Sequence, residues 1–186
     1  DIRSIDPAKL KEYGFKGVVF DKDNTLTVPY GTTIYPAIAE QVEHFKEVFG
    51  CNLAIMSNSA GTCDDPQYEN AQQIEKDLGI AVLRHDEKKP GGIDAVIAYF
   101  HEDPRNVVAL GDRVLTDIVF GNRYGMLTVL TAPFTEVGDN KAAAVVRRYE
   151  RRAVHYLMRH GRTAPEHQRY HRELCQGPRY EYNASS

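Results

Sequence analysis

Two carboxylates, Asp21 and Asp23, close an apolar run in the stretch GVVFDKDNTLT, residues 17 to 27. Burying like charges beside a hydrophobic strand is costly unless something neutralises them. Three further polar clusters follow: Ser57 and Asn58 in MSNSAG, Lys88 and Lys89 in EKKPGG, and Asp112 and Asp117 in GDRVLTD. Together these residue types suit the chemistry of a phosphate ester. Asp21, Asp23 and Asp112 offer the hard oxygen ligands that Mg²⁺ prefers, and the cation would make the charged strand end tolerable. The Ser57 hydroxyl, the amides of Asn58 and Ser59, and a lysine ammonium can hold phosphoryl oxygens. One carboxylate then remains as nucleophile and another as acid and base. Each piece alone is weak, since acids at strand ends are often solvated and a Ser-Asn pair is often a cap. Their order, each at or near a strand end, carries the signal.

The elements that must position these groups follow from periodicity. Apolar runs at Gly17–Phe20, Asn52–Met56, Ile80–Leu83, Val107–Leu110 and Leu127–Thr131 read as strands. The stretches YPAIAEQVEHFKEVFG, PQYENAQQIEKDLG, GGIDAVIAYFHE and VLTDIVFGNRYG between them carry helical spacing, with Pro near two starts and Gly at three ends. Short strands alternating with helices predict a parallel α/β sheet, Rossmann-like, with helices on both faces. Ligand sites of such sheets lie beyond the carboxyl ends of the strands.

Composition sets the outer bounds. The chain of 186 residues is 42% hydrophobic, enough for one domain with a sizeable core. No run of about 18 apolar residues is present to span a membrane. Cys51, Cys63 and Cys175 have neither zinc spacing nor a disulfide framework and read as reduced thiols. The chain starts with Asp, which fits either a mature form or a truncated one, so a targeting segment or anchor could have been removed. Net charge is −3 but uneven: residues 141–172 carry nine Lys or Arg against Glu150 and Glu166, giving +7 there and −10 elsewhere. The expected division is a catalytic core at 1–138 and a basic helical extension at 139–186, packed on or next to the core. From Pro165 the extension is expected to be partly irregular, and the final NASS to fray. In NKAAAVVRRYERRAVHYLMRH, Val146, Tyr149, Ala153, Tyr156 and Leu157 form an apolar stripe at helical spacing. It is expected either to pack on its own sheet or to meet an anionic membrane, with the arginines outward in both cases.

The motifs DKDNT, SN, KKP and GDRVLTD resemble the four motifs of the haloacid dehalogenase (HAD) superfamily of phosphatases, over roughly residues 15 to 133. GDRVLTDIVFGNRYGMLTVL and EKKPGG look more narrowly like its phosphatidylglycerophosphatase branch. The basic tail, with RHGRTAPEHQRYHREL, resembles the fungal mitochondrial form, which serves cardiolipin synthesis. The resemblance implies an aspartyl-phosphate mechanism. Asp21 would be the nucleophile, and Asp23 would protonate the leaving alkoxide and then activate water. Asp21, the Asp23 carbonyl and Asp112 would ligate Mg²⁺, and Asp117 would hold the metal's water or orient the lysine. Ser57 and Lys89 would bind the phosphoryl group, with Asn58 beside them; Lys89, the lysine before proline, is preferred to a solvated Lys88. Arg113 stands where many relatives have an acid, and could touch an anionic headgroup or be a surface residue. The gaps between motifs hold no inserted cap domain, which implies an open site suited to a substrate whose tails stay in a membrane. Tyr30 and Tyr35, in the small flap PYGTTIYP, could flank a headgroup or simply pack the turn.

The implied substrate is phosphatidylglycerophosphate, hydrolysed by a phosphoric monoester hydrolase peripheral to the matrix side of the mitochondrial inner membrane. The expected partners are a lipid phosphate and an anionic membrane surface, without nucleic acid; a homo-oligomer stays open. Two other readings stand beside this one: a soluble phosphatase for a sugar, nucleotide or nucleic-acid-end phosphate, and a non-catalytic membrane-associated scaffold. A receiver-type signalling domain fails on motif order, because its lysine comes last. No G-x-G-x-x-G follows the first strand to suggest a dinucleotide.

Overall fold

The computed structural model describes residues 1–135 and 141–170 together with Leu174, and the side chains of 141–144 fall outside that description. The 138/139 boundary, Arg172, Cys175 and the NASS terminus lie outside the described residues. Five strands, β1 (Gly17–Phe20), β2 (Leu53–Ile55), β3 (Ala81–Val82), β4 (Val107–Gly111) and β5 (Leu127–Leu130), pair in the order β3-β2-β1-β4-β5. All pairs are parallel. The apolar runs reflect burial on both faces, as a parallel sheet covered by helices requires. Val18 and Phe20 face a core built with α1 (Pro7–Glu12), α2 (Ala39–Phe49) and α3 (Glu69–Leu78). Val19, between them, faces the other core, built with α4 (Ile93–Phe100) and α5 (Val119–Arg123). The doubly covered sheet expected from the sequence is the one observed.

This order puts the site where the connections diverge. From β1 the chain goes to β2 and β3 on one side, then crosses to β4 and β5 on the other. The ends of β1 and β4 therefore flank the switch point, where a crevice opens. Between β1 and β2 stand only a short turn of helix, Pro36–Ile38, and α2; between β2 and β3 stands only α3. No cap domain is inserted, as the gap lengths implied.

Local structure departs from the periodicity in three places. Helix α1 was not foreseen; it is short, and Asp6 caps it by accepting hydrogen bonds from the Ala8 and Lys9 amides. VLTDIVFGNRYG is not one regular helix: Val114–Ile118 forms a π-helical turn and α5 follows it. The turn begins where Asp117 Oδ2 accepts the Arg113 amide at 3.0 Å, a local bond that competes with regular winding.

The third departure is the helix α6 (Lys141–Arg159), where the stripe stays off the sheet, one of the two expected arrangements, and charged side chains take the inner face. Tyr149, Tyr156 and Leu157 of the apolar stripe are 64%, 61% and 49% exposed, so the stripe does not pack on the sheet. Arg147 and Glu150 face inward instead, 4% and 5% exposed, with Arg151, Val154 and His155 half-buried around them. The expectation that the arginines off the stripe stay exposed holds for Arg148, Arg152, Arg159 and Arg162 and fails for Arg151, which is half-buried. The reason is polar docking: Glu150 Oε1 accepts the Leu115 amide at 2.9 Å, and Arg147 Nη2 lies 2.8 Å from Asp112 Oδ2. Beyond α6 the chain returns to the amino end of the sheet. There Arg169 donates to the Gly14 carbonyl at 2.8 Å, and a His167 ring nitrogen meets the Arg105 carbonyl at 3.1 Å.

Candidate active site

Asp21 follows β1 directly, and its amide continues the ladder by donating to the Leu110 carbonyl at 2.8 Å. That bond fixes its carboxylate beside the end of β4. Lys89 reaches in from the loop after β3, its side chain only 4% exposed. Its ammonium lies 2.7 Å from Asp21 Oδ1 and 2.5 Å from Asp117 Oδ1. Burial works against the lysine's charge, but the Asp117 and Asp21 carboxylates together outweigh it and hold its pKa above the ordinary value. Both oxygens of Asp117 are engaged, Oδ1 by Lys89 and Oδ2 by the Arg113 amide, so Asp117 orients the lysine. Gly111 leaves room for this: a Cβ there would overlap the Asp117 carboxyl.

Asp112 completes the cluster. Ligand oxygens of Asp21, Asp112 and Asp117 lie within 4.8 Å of one another. The Asp112 carboxylate is buried, and neither oxygen accepts a hydrogen bond; Arg147 approaches Oδ2 closely but off the bonding angle. Burial, with the nearby Asp21 charge, pushes its pKa up to about 8 against the pull of Arg147. Burial likewise raises that of Asp21, against the opposing effect of Lys89. A buried carboxylate that is ion-paired with Arg147 but accepts no hydrogen bond, within reach of two others, is part of a donor set that fits a hard divalent cation.

The remaining expected residues occupy distinct positions. The Asp23 carboxylate stands apart from the three-acid cluster; its Oδ1 pairs with Lys22 at 2.7 Å and accepts the Tyr30 amide at 2.9 Å. Ser57, just past β2, is buried, and its hydroxyl accepts the Ser59 amide at 3.2 Å. The Asn58 side chain clasps the Lys89 backbone, accepting its amide at 2.8 Å and donating to its carbonyl at 3.5 Å. Its side chain therefore positions the lysine loop. Lys88 is exposed and pairs with Asp64, as a solvated lysine would. Arg113 is half-buried with an Nε that finds no acceptor, close enough to Asp112 to influence its charge. Tyr35 stacks on Phe134 at 4.2 Å between ring centres, while Tyr30 is exposed.

Sequence reasoning missed three residues here. His85 bridges the Ser57 carbonyl at 3.0 Å and the Glu87 carbonyl at 2.6 Å, tying the serine loop to the lysine loop. A lone histidine between β3 and the lysines was its only signal. Arg147 and Glu150 gave none, as one base among nine and one acid among two in a basic segment.

A family model described as mitochondrial PGP phosphatase matches residues 1–135, every part of the chain that builds this crevice except Arg147 and Glu150. The chain belongs to the mitochondrial PGP phosphatase family. Among relatives of that family, phosphatidylglycerophosphate phosphatase 1, chloroplastic/mitochondrial, of Arabidopsis thaliana is 44% identical over 169 residues, covering 90% of this chain and 49% of its own length. The mitochondrial phosphatidylglycerophosphatase of Saccharomyces cerevisiae is 32% identical over 148 residues, covering 76% of this chain and 78% of its own. A probable phosphatase of Bacillus subtilis is 31% identical over 163 residues, covering 87% and 89%. The chain spans about half the length of the plant and algal relatives it matches, 49% and 56% respectively.

Proposed function

We propose that this chain is a magnesium-dependent phosphomonoesterase that converts phosphatidylglycerophosphate to phosphatidylglycerol and inorganic phosphate, the step that feeds cardiolipin synthesis. The observation that carries the reading is Lys89, buried between Asp21 and Asp117 at the switch point, with Asp112 lacking hydrogen-bond donors beside them. Family membership and the names of the plant and yeast relatives support the substrate.

In the proposed reaction an Asp21 oxygen attacks phosphorus and forms an O–P bond as the ester O–P bond breaks. Asp23 gives its proton to the departing glycerol oxygen. It then takes a proton from the water that attacks the aspartyl-phosphate, releasing phosphate and restoring Asp21. Lys89 and Ser57 hold phosphoryl oxygens during both steps. Asn58 and His85 keep their loops in place. Asp21, Asp112 and the Asp23 carbonyl would hold Mg²⁺, with Asp117 alongside. The ion would supply a hard Lewis acid that offsets charge on the carboxylates and the phosphoryl oxygens.

The proposal extends to place and partner. Among the described residues no helix is long and apolar enough to cross a membrane. The outer face of α6 combines exposed Tyr149, Tyr156 and Leu157 with exposed Arg148 and Arg152, an arrangement suited to lying on an anionic bilayer. Peripheral binding to the matrix side of the mitochondrial inner membrane is the proposed location, and the mitochondrial names of the relatives support the organelle. The deciding experiment measures phosphate release from phosphatidylglycerophosphate micelles, glycerol phosphate, a sugar phosphate and a phosphate-ended oligonucleotide. The lipid is expected to lead, chelation to abolish turnover, and Mg²⁺ but not Ca²⁺ to restore it. Full activity in excess chelator, or preference for a soluble phosphate, overturns the reading.

A further inference from the structure

A cavity of about 480 Å³ separates α6 from the carboxyl edge of the sheet. It begins at Asp112, the carboxylate it shares with the crevice, and runs along the inner face of the helix. Val114, Leu130 and Pro133 form its core side, and Val154 and Met158 its helix side. Arg151 and Arg159 line it on the helix as well. Arg147, Arg151, Val154 and Met158 recur at steps of three and four, so they share one face of α6. At 1.5 Å per residue, Arg147 to Met158 spans about 16 Å. Glu150 also lines the cavity, but its Oε1 is turned to the Leu115 amide. The far end lies beside the exposed apolar side chains of Leu157 and Met158.

We infer that this groove holds the non-reacting part of the lipid substrate. Its internal phosphodiester lies against Arg151, one turn of helix from Arg147, and the first carbons of an acyl chain lie further along, against Val154 and Met158. The inference rests on the phosphatidylglycerophosphatase reading and deepens it by assigning specificity to α6. Two chemical features select the occupant. The groove joins apolar walls to guanidinium groups, and a phosphodiester one glycerol away from the reacting phosphate supplies the matching anion. A sugar or nucleotide phosphate has no aliphatic segment to displace water from the apolar walls. Continuity through Asp112 lets one molecule occupy crevice and groove together. The helix thus recognises what the catalytic groups do not touch, the part of the substrate whose binding can raise specificity for the lipid.

The test compares kcat/KM for a short-chain phosphatidylglycerophosphate, kept below its micelle concentration, with that for para-nitrophenyl phosphate. Removing a charged contact at Arg151→Ala, or placing charge in the apolar wall at Met158→Glu, is expected to lower the lipid-to-small-substrate ratio about tenfold, mainly through KM for the lipid. Hydrolysis of the small substrate reports that each variant is folded. A wild type that prefers the lipid, with ratios in both variants within about twofold of it, overturns the groove assignment alone. A wild type with no preference for the lipid overturns the functional reading, and the groove's occupant with it.

Discussion

The crevice and helix α6 both bury charge, by opposite routes. In the crevice, acids sit at or near strand ends and find cations or amides close by: Lys89 for Asp21, and Lys89 with the Arg113 amide for Asp117. On α6, charge is buried on the face turned to the core, and the apolar face is left in solvent. The first arrangement is local and set by backbone position after a strand. The second is set by what lies across the interface, namely the Leu115 amide and the Asp112 carboxylate. Charge burial at a strand end can be read from the chain itself; on a helix face it depends on the partner.

Perturbing one region and then the other separates chemistry from recognition. The largest effect belongs to Asp21→Asn, a near-isosteric change to a poor nucleophile. It is expected to lower kcat by about 10³-fold or more with the unfolding midpoint little changed, and activity within tenfold of wild type removes Asp21 as the nucleophile. Lys89→Ala comes next, because it leaves Asp21 and Asp117 facing each other without their cation. Its turnover is expected to fall about 10²-fold, and urea unfolding to show a loss of about 3 kcal/mol. An unchanged midpoint would mean that the buried triad does not stabilise the fold.

On the helix, Arg148→Ala with Arg152→Ala leaves the crevice untouched. Each basic residue near an anionic bilayer contributes about 1 kcal/mol, so binding to cardiolipin-containing vesicles is expected to weaken about thirtyfold at low salt. Equal pelleting of this variant and wild type places the membrane contact elsewhere. The smallest effect falls on Asn58→Ala, which cuts two neutral hydrogen bonds to the Lys89 backbone and should cost about tenfold in kcat/KM. An Asn58→Ala enzyme as fast as wild type shows that His85 suffices to hold the loop.

Much of the first region was legible because strand burial and motif order constrain each other. An all-apolar run such as VVALG must be covered on both faces, and the polar residues that end it must then lie at the sheet's carboxyl edge. That reasoning reached the clusters that hold Asp21, Lys89, Asp112 and Asp117, and the resemblance then picked Lys89 over Lys88. It did not reach His85, whose ring joins the neighbouring Glu87 carbonyl to the Ser57 carbonyl 28 residues away. On α6, periodicity separated the apolar face from most of the arginines but left open which face meets the core. A hydrophobic stripe fixes amphipathicity, whereas orientation here follows from an amide and a carboxylate that compete for Glu150 and Arg147. The π-helical turn escaped for a similar reason, since Asp117 reads as an ordinary helical residue until its carboxyl meets Lys89.

The return of the chain to the amino end of the sheet has a further consequence for α6. Before the helix, the Thr135 amide is tied to Asn24 Oδ1 at 3.2 Å; after it, Arg169 is tied to the Gly14 carbonyl at 2.8 Å. A helix moored on both sides cannot diffuse away when it lifts from its groove. It becomes the middle of a closed loop, and the entropy of opening is bounded by the length between the moorings. Re-docking is then a first-order event, governed by an effective local concentration and independent of how dilute the protein is.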